Sequence, residues 1–153
     1  MRVWAAAAGL IFAILASASP ALALPLGQSG LTLSPEAESV DIDGDSGGRL
    51  ADYALRLYEM KASGSRVRFL GRCDSACTLY LAMPSAAVCV APGSYFRFHS
   101  PFGVSEAGVR SARAYMMQEY PRWVQSWLNA HGGLTSDLVT MSYEDARKHL
   151  RAC

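Results

Sequence analysis

The decapeptide GRCDSACTLY, residues 71–80, holds a serine between two cysteines, with a glycine four residues before it and an apolar run after it. Ser75 there is either a nucleophile or the cap of a buried helix. Cys73 and Cys77 are disulfide partners, redox thiols or metal ligands. Ser75 to Met83 is apolar on nearly every side, so it reads as a buried helix, ended by Pro84. Before it, RVRFLG (66–71) alternates and reads as a strand.

Working outward, SVDID (39–43) alternates as a half-buried strand, and GDSGG (44–48) is a glycine-rich turn. Leu50, Tyr53, Ala54, Leu57 and Met60 recur at helical spacing. AAVCVAP (86–92) and SYFRFHS (94–100) are two strands divided by Pro92-Gly93. From Glu106 to Ala130 runs an amphipathic pattern of Val109, Ala112, Met116, Tyr120, Trp123 and Trp127, read as core or as an oligomer face. Pro121 predicts a kink or a fresh helix start within it. Ser142, with Asp145 three residues on, caps a short last helix. Strand, helix, strand, helix, strand, strand, helix, helix predicts an α/β fold with a largely parallel sheet flanked by helices.

The first residues set the compartment. Arg2 is the only charge before Glu36, Val3–Ala16 is an unbroken apolar run, and Ala21-Leu22-Ala23 follows. That pattern reads as a secretory signal peptide over residues 1–23. The run falls short of the roughly 20 residues a membrane span needs, so no stable anchor is expected after cleavage. Residues 24–38 read as a linker or edge strand, and 39–153 as one α/β domain. The chain carries 14 Lys+Arg and 13 Asp+Glu with no basic block, which argues against a nucleic-acid partner.

Export favours two disulfides among Cys73, Cys77, Cys89 and Cys153. A zinc site of Cys73, Cys77, Cys89 and one of His99, His131 or His149 is the rival; the spacing lacks the close pairs of zinc modules, so no metal and no cofactor are expected. Cys77, on the buried helix, is expected to pair with Cys89 on the next strand, leaving Cys73 for Cys153. A redox role is disfavoured because Cys-x3-Cys is not the Cys-x-x-Cys arrangement. His131 and His149 read as surface or helix-ending residues.

Three pieces can meet at the carboxyl ends of parallel strands: Gly47-Gly48, Ser75 and His99. DSGGRLADYALRLYEM (45–60), GRCDSACTLYLAMPSAAVCVAPGSYFRFHSPFG (71–103) and SYEDARKHL (142–150) together resemble the Clp protease proteolytic subunit of the crotonase-like superfamily. It looks most similar to small exported bacterial members. The family pattern is a Gly-Gly turn before a helix, Gly-x-x-x-Ser, and a strand-end His followed one residue later by Pro. Here these are Gly47-Gly48, Gly71 to Ser75, and His99 with Pro101.

The resemblance implies an exported, periplasmic or secreted serine hydrolase, in particular a peptidase, acting on a peptide or small acyl substrate. Ser75 would be the nucleophile and His99 the base, with Ser75 Oγ roughly 2.6–3.2 Å from an imidazole nitrogen. Backbone N–H groups of Gly48 and Ala76 would hold the oxyanion. Asp137, in the short LTSDLVTM stretch, is the nearest counterpart of the third triad member, and Asp145 the fallback. Gly44, Asp45 and Ser46 stand where the family carries Asn and Pro. A homo-oligomer is compatible with the resemblance, whereas a cytosolic ATP-driven partner is not carried over to an exported chain. Acyl-CoA chemistry is disfavoured outside the cytoplasm. A non-catalytic binding or structural protein on the same scaffold is the alternative.

Overall fold

The computed structural model describes residues 38–153. The signal peptide read over 1–23 and nearly all of the 24–38 linker lie outside the described residues. Strand β1 (Ser39–Ile42) leads into helix α1 (Leu50–Ser63). Leu57 and Met60 of α1 are buried, and Leu50, Tyr53 and Ala54 pack beside them. The spaced apolar positions are thus the core face of the helix. Gly64, in the left-handed conformation, ends α1; the N–H of Ser65 then donates to the Met60 carbonyl.

Strand β2 (Arg66–Phe69) does not run on to Gly71 as its alternation suggests. The chain bends at Leu70-Gly71 because both N–H groups donate to the Ile42 carbonyl. It then starts a separate strand, β3 (Arg72–Asp74), in a second sheet. Next comes a 3₁₀ helix, Ser75–Ala82, with Ala76 to Leu81 buried. The rest is β4 (Val88–Val90), β5 (Tyr95–Phe98), α2 (Glu106–Glu119), α3 (Arg122–Ala130), β6 (Val139–Ser142), α4 (Tyr143–Ala146) and β7 (Arg151–Ala152). Pro121 caps α3 and makes a fresh helix start, because it cannot donate within a continuous helix. Ser142 caps α4 by accepting from the Asp145 N–H.

One sheet, ordered β1-β2-β4-β7, is parallel throughout. In the other, β3-β5-β6, β3 and β5 are parallel and β6 is antiparallel. The fold is therefore α/β with a largely parallel arrangement flanked by helices. Phe69 of the first sheet meets Phe96 of the second edge-on, ring centres 4.8 Å apart. The 3₁₀ helix packs against α1, α2 and β5. Among the described residues, no helix is long and apolar enough to cross a membrane.

All four cysteines are bridged, a state compatible with an oxidising compartment, but the expected pairing is corrected. The bridges are Cys73–Cys77 and Cys89–Cys153, not Cys77–Cys89 and Cys73–Cys153. The cause is β7, which lies parallel to β4 with Cys89 opposite Arg151 and brings Cys153 alongside Cys89. Their Cα atoms are 5.0 Å apart. Cys73 is left with Cys77, where the first turn of the 3₁₀ helix folds back over β3 with a Cα separation of 5.5 Å.

Candidate active site

Parallel pairing brings Ser75 and His99 to one edge. Asp74, the last residue of β3, lies opposite Arg97 of β5. Ser75 and His99 therefore both leave the sheet at its carboxyl end, where ligands gather in open parallel sheets. The register is fixed chemically as well. Arg97 Nε donates to Asp74 Oδ1 at 2.8 Å, and the second guanidinium nitrogen reaches Oδ2. Asp74 is 6% exposed, so this fork replaces the water its carboxylate has lost. The bond to Asp74 pushes the Arg97 guanidinium further above its ordinary range.

Ser75 has φ +54°, a left-handed conformation that a non-glycine residue adopts only when its surroundings impose it. Several contacts do so. The Cys73–Cys77 bridge spans it. Thr78 Oγ1 donates to the Ser75 carbonyl at 2.6 Å, and the Tyr120 hydroxyl lies 2.6 Å from Thr78 Oγ1. Thr78 has one proton, so Tyr120 is the donor in the second bond. Burial holds the Tyr120 phenol well above its ordinary pKa, which keeps that donor protonated.

Gly47 completes the turn from the other side. Its φ is +77°, and a Cβ there would lie 2.6 Å from the Asp74 carbonyl oxygen and 2.7 Å from Ser75 Cβ. Only glycine permits that approach. The loop is held by Asp45, whose Oδ1 accepts from the Gly47 N–H at 2.8 Å and from the Tyr53 hydroxyl at 2.7 Å. Burial, and then that hydrogen bond, push the Tyr53 phenol above its ordinary value. Asp45 thus gives the Gly44-Asp45-Ser46 stretch a local purpose. Gly71 has another role: a side chain there would run into the Asp43 carboxylate.

A cavity of ≈ 710 Å³ opens at this edge, lined among others by Gly47, Gly48, Ser75, Ala76, His99 and Phe102. The sequence-predicted Ser75, His99, Gly48 and Ala76 therefore share one cavity. The N–H groups of Gly48 and Ala76 have no acceptor among the described residues. No hydrogen bond joins Ser75 Oγ to His99, so the predicted contact is not made. His99 Nδ1 lies 2.8 Å from the Ser100 carbonyl. A carbonyl only accepts, so Nδ1 carries the proton and Nε2 of the neutral ring is left as the base.

Neither carboxylate nominated for the third position is hydrogen-bonded to His99. Asp137 is exposed, and its carboxylate makes no hydrogen bond to His99; only its backbone is bonded, to Thr135. Asp145 is occupied elsewhere. Its bond to Lys148, with further bonds from Ser142, holds its carboxyl below the usual range. The other histidines stand apart: His131 stacks on Trp127 and His149 on Trp123.

No family model matches the chain, and no curated protein matches it. Solved structures do. One, described as the crystal structure of an enzyme, aligns with a TM-score of 0.54 and 9% identity, over 75% of this chain and 76% of that one. A peptidase from Plasmodium falciparum aligns with a TM-score of 0.51 and 9% identity, over the same shares. A ClpP1 mutant from Listeria monocytogenes overlaps more loosely, with a TM-score of 0.44 and 18% identity, over 72% of this chain and 68% of that one. At 9% identity the first two likenesses show a common fold and leave the chemistry to the residues.

Sequence reasoning missed Asp74, Arg97, Thr78 and Tyr120. For Asp74 and Arg97 a signal existed. An acid and a base each sit just before the nominated pair, one residue ahead of Ser75 and two ahead of His99.

Proposed function

We propose that the chain is an exported serine hydrolase, a peptidase of the Clp-protease-like class. Ser75 Oγ attacks the acyl carbon, and His99 Nε2 takes its proton and passes it to the leaving amine. The Gly48 and Ala76 N–H groups hold the oxyanion. The observation that carries this reading is the left-handed Ser75 in one cavity with an imidazole and two unpartnered N–H groups. A serine that served only as a helix cap would not require that strain; indeed, the cap position of the 3₁₀ helix is held by Asp74, not Ser75. In this reading the Ser100 carbonyl, rather than a carboxylate, orients the imidazole.

The test is covalent labelling by a fluorophosphonate. Ser75→Ala is expected to abolish it with the fold intact. His99→Ala should slow it by about 100-fold or more, the usual contribution of a positioned base. Unlabelled, folded protein would leave Ser75 without a nucleophile's role.

One observation favours the alternative, a non-catalytic binding protein. Among the described residues His99 has no carboxylate partner, and an imidazolium formed during proton transfer would lack that stabilisation.

Export belongs to the same proposal. Protein recovered from an exporting host should have lost residues 1–23 by intact mass; a full-length mass in the membrane fraction would mean an anchor instead. Peptide substrates fit the open cavity, and exposed Leu55 and Tyr58 on α1 are compatible with self-association.

A further inference from the structure

We propose that a second cavity, beyond His99, is the leaving-group subsite of this centre, and that Arg113 selects a carboxylate there. The inference rests on the hydrolase reading and names its substrate class. This cavity, of ≈ 600 Å³, is lined among others by His99, Phe102, Arg113, Leu134, Thr135 and Leu138. His99 lines both cavities, whereas Ser75 lines only the first. His99, with Pro101 and Phe102, is thus where the two cavities adjoin.

That order assigns the subsite. In acyl transfer the bond from Ser75 Oγ to the acyl carbon forms and the carbon–nitrogen bond breaks. The proton that His99 removed from Ser75 goes to the departing nitrogen. Water then hydrolyses the acyl-enzyme and restores Ser75. The departing nitrogen, still bonded to the acyl carbon, must reach the same Nε2 that took the serine proton, so the residue it carries runs on past the imidazole, toward the second cavity that His99 also lines.

The lining sets the chemistry. Among the described residues no carboxylate lines this cavity, and His99 and Arg113 are its only ionisable side chains. Arg110, one turn earlier on α2, is paired with Glu106, but Arg113 has no ion-pair partner among the described residues. The lining is otherwise apolar or hydroxyl-bearing: Leu134 is buried, and Phe102 and Leu138 are exposed at the cavity. A guanidinium left free beside apolar walls and hydroxyl groups suits a planar carboxylate on a short residue. That carboxylate comes either from an Asp or Glu just after the scissile bond, or from the free C-terminus of a peptide cut before its last residue.

Digestion of a defined peptide mixture by the purified protein, read by mass spectrometry, tests this. Pairs differing only in Glu against Gln after the scissile bond form one arm. Pairs ending in a free acid against an amide form the other. We expect the acid member of at least one pair to be cut about tenfold faster, as a charge-assisted bidentate bond gives. Arg113→Gln should collapse that ratio to about one, and Arg113→Glu should invert it. An acid preference that survives Arg113→Gln, or cleavage with no preference in either arm, overturns the subsite. Fluorophosphonate labelling of the unsubstituted protein reports separately on the hydrolase reading. Labelled protein that cuts no peptide overturns the peptide subsite alone. Protein neither labelled nor active overturns both.

Discussion

Gly47→Ala is expected to unfold the turn that holds Ser75 and to abolish labelling, although residue 47 touches no reacting atom in the proposed chemistry. Two costs combine. An L-residue at φ +77° carries roughly 1–2 kcal/mol of left-handed strain. The new methyl would also stand 2.6 Å from the Asp74 carbonyl oxygen, 2.7 Å from Ser75 Cβ and 3.0 Å from the Ala76 nitrogen. Backbone cannot rotate away as a side-chain tip can, so overpacking adds about 1–3 kcal/mol. Moving that backbone displaces Ser75 together with the Ala76 N–H of the proposed oxyanion hole. Gly44→Ala is the control. Its φ is +83°, but no described residue lies within 4 Å of its Cβ position, so it should bear the strain alone and keep labelling. Urea unfolding and labelling rates of the two variants separate the terms. Equal losses in both would show that the contact with Ser75 carries no weight.

Removing the Cys89–Cys153 bridge should cost the most stability of any disulfide change. The linked residues are 64 apart in sequence, against 4 for Cys73–Cys77. Restricting the unfolded chain over those loops corresponds to about 4 kcal/mol for the first and about 2 kcal/mol for the second. Cys153 also anchors β7, whose pairing with β4 closes the parallel sheet at its edge. The double variant Cys89→Ser, Cys153→Ser should therefore have a much lower urea midpoint. Cys73→Ser with Cys77→Ser should lose less stability and a larger share of labelling, because that bridge spans Ser75. Non-reducing peptide mapping should recover these two pairs; recovery of Cys77–Cys89 would contradict the β4–β7 pairing.

Much of the fold was legible because it depends on local pattern. α1 declared its face through Leu50, Tyr53, Ala54, Leu57 and Met60, and Pro121 marked a helix boundary. β1, β4 and β5 stood out as short apolar or alternating runs between turns. What escaped depends on distant partners. The break between β2 and β3 is set by the Ile42 carbonyl, which no periodicity in RVRFLGRCD discloses. β6 and β7 are short and exist through pairing with β5 and β4. The disulfide error follows from that, since Cys153 has a neighbour only once β7 is in the sheet. The run 75–82 is apolar on every side, so its pattern could not separate a 3₁₀ from an α-helix.

The candidate site divides the same way. Ser75, His99, Gly48 and Ala76 were nominated from motif order, and they line one cavity. Asp137 was nominated by position in a shortened loop, where a small displacement decides whether a carboxylate meets an imidazole. The left-handed Ser75 and the supports from Asp74–Arg97 and Thr78–Tyr120 arise from tertiary contacts across β3, β5 and α2. Of these, only the acid and base just ahead of Ser75 and His99 leave a mark in the sequence, and even that does not show that they pair.

The measurement that bears most directly on the central proposal is the site of the fluorophosphonate adduct. The disulfide-intact protein should gain the mass of one phosphonyl group, and after reduction and digestion that mass should map to Ser75 within the peptide that begins at Cys73. The adduct should be absent from Ser75→Ala. A folded protein that gains no mass, or that carries the group on another serine such as Ser85 or Ser94, would contradict the assignment of Ser75 as the nucleophile.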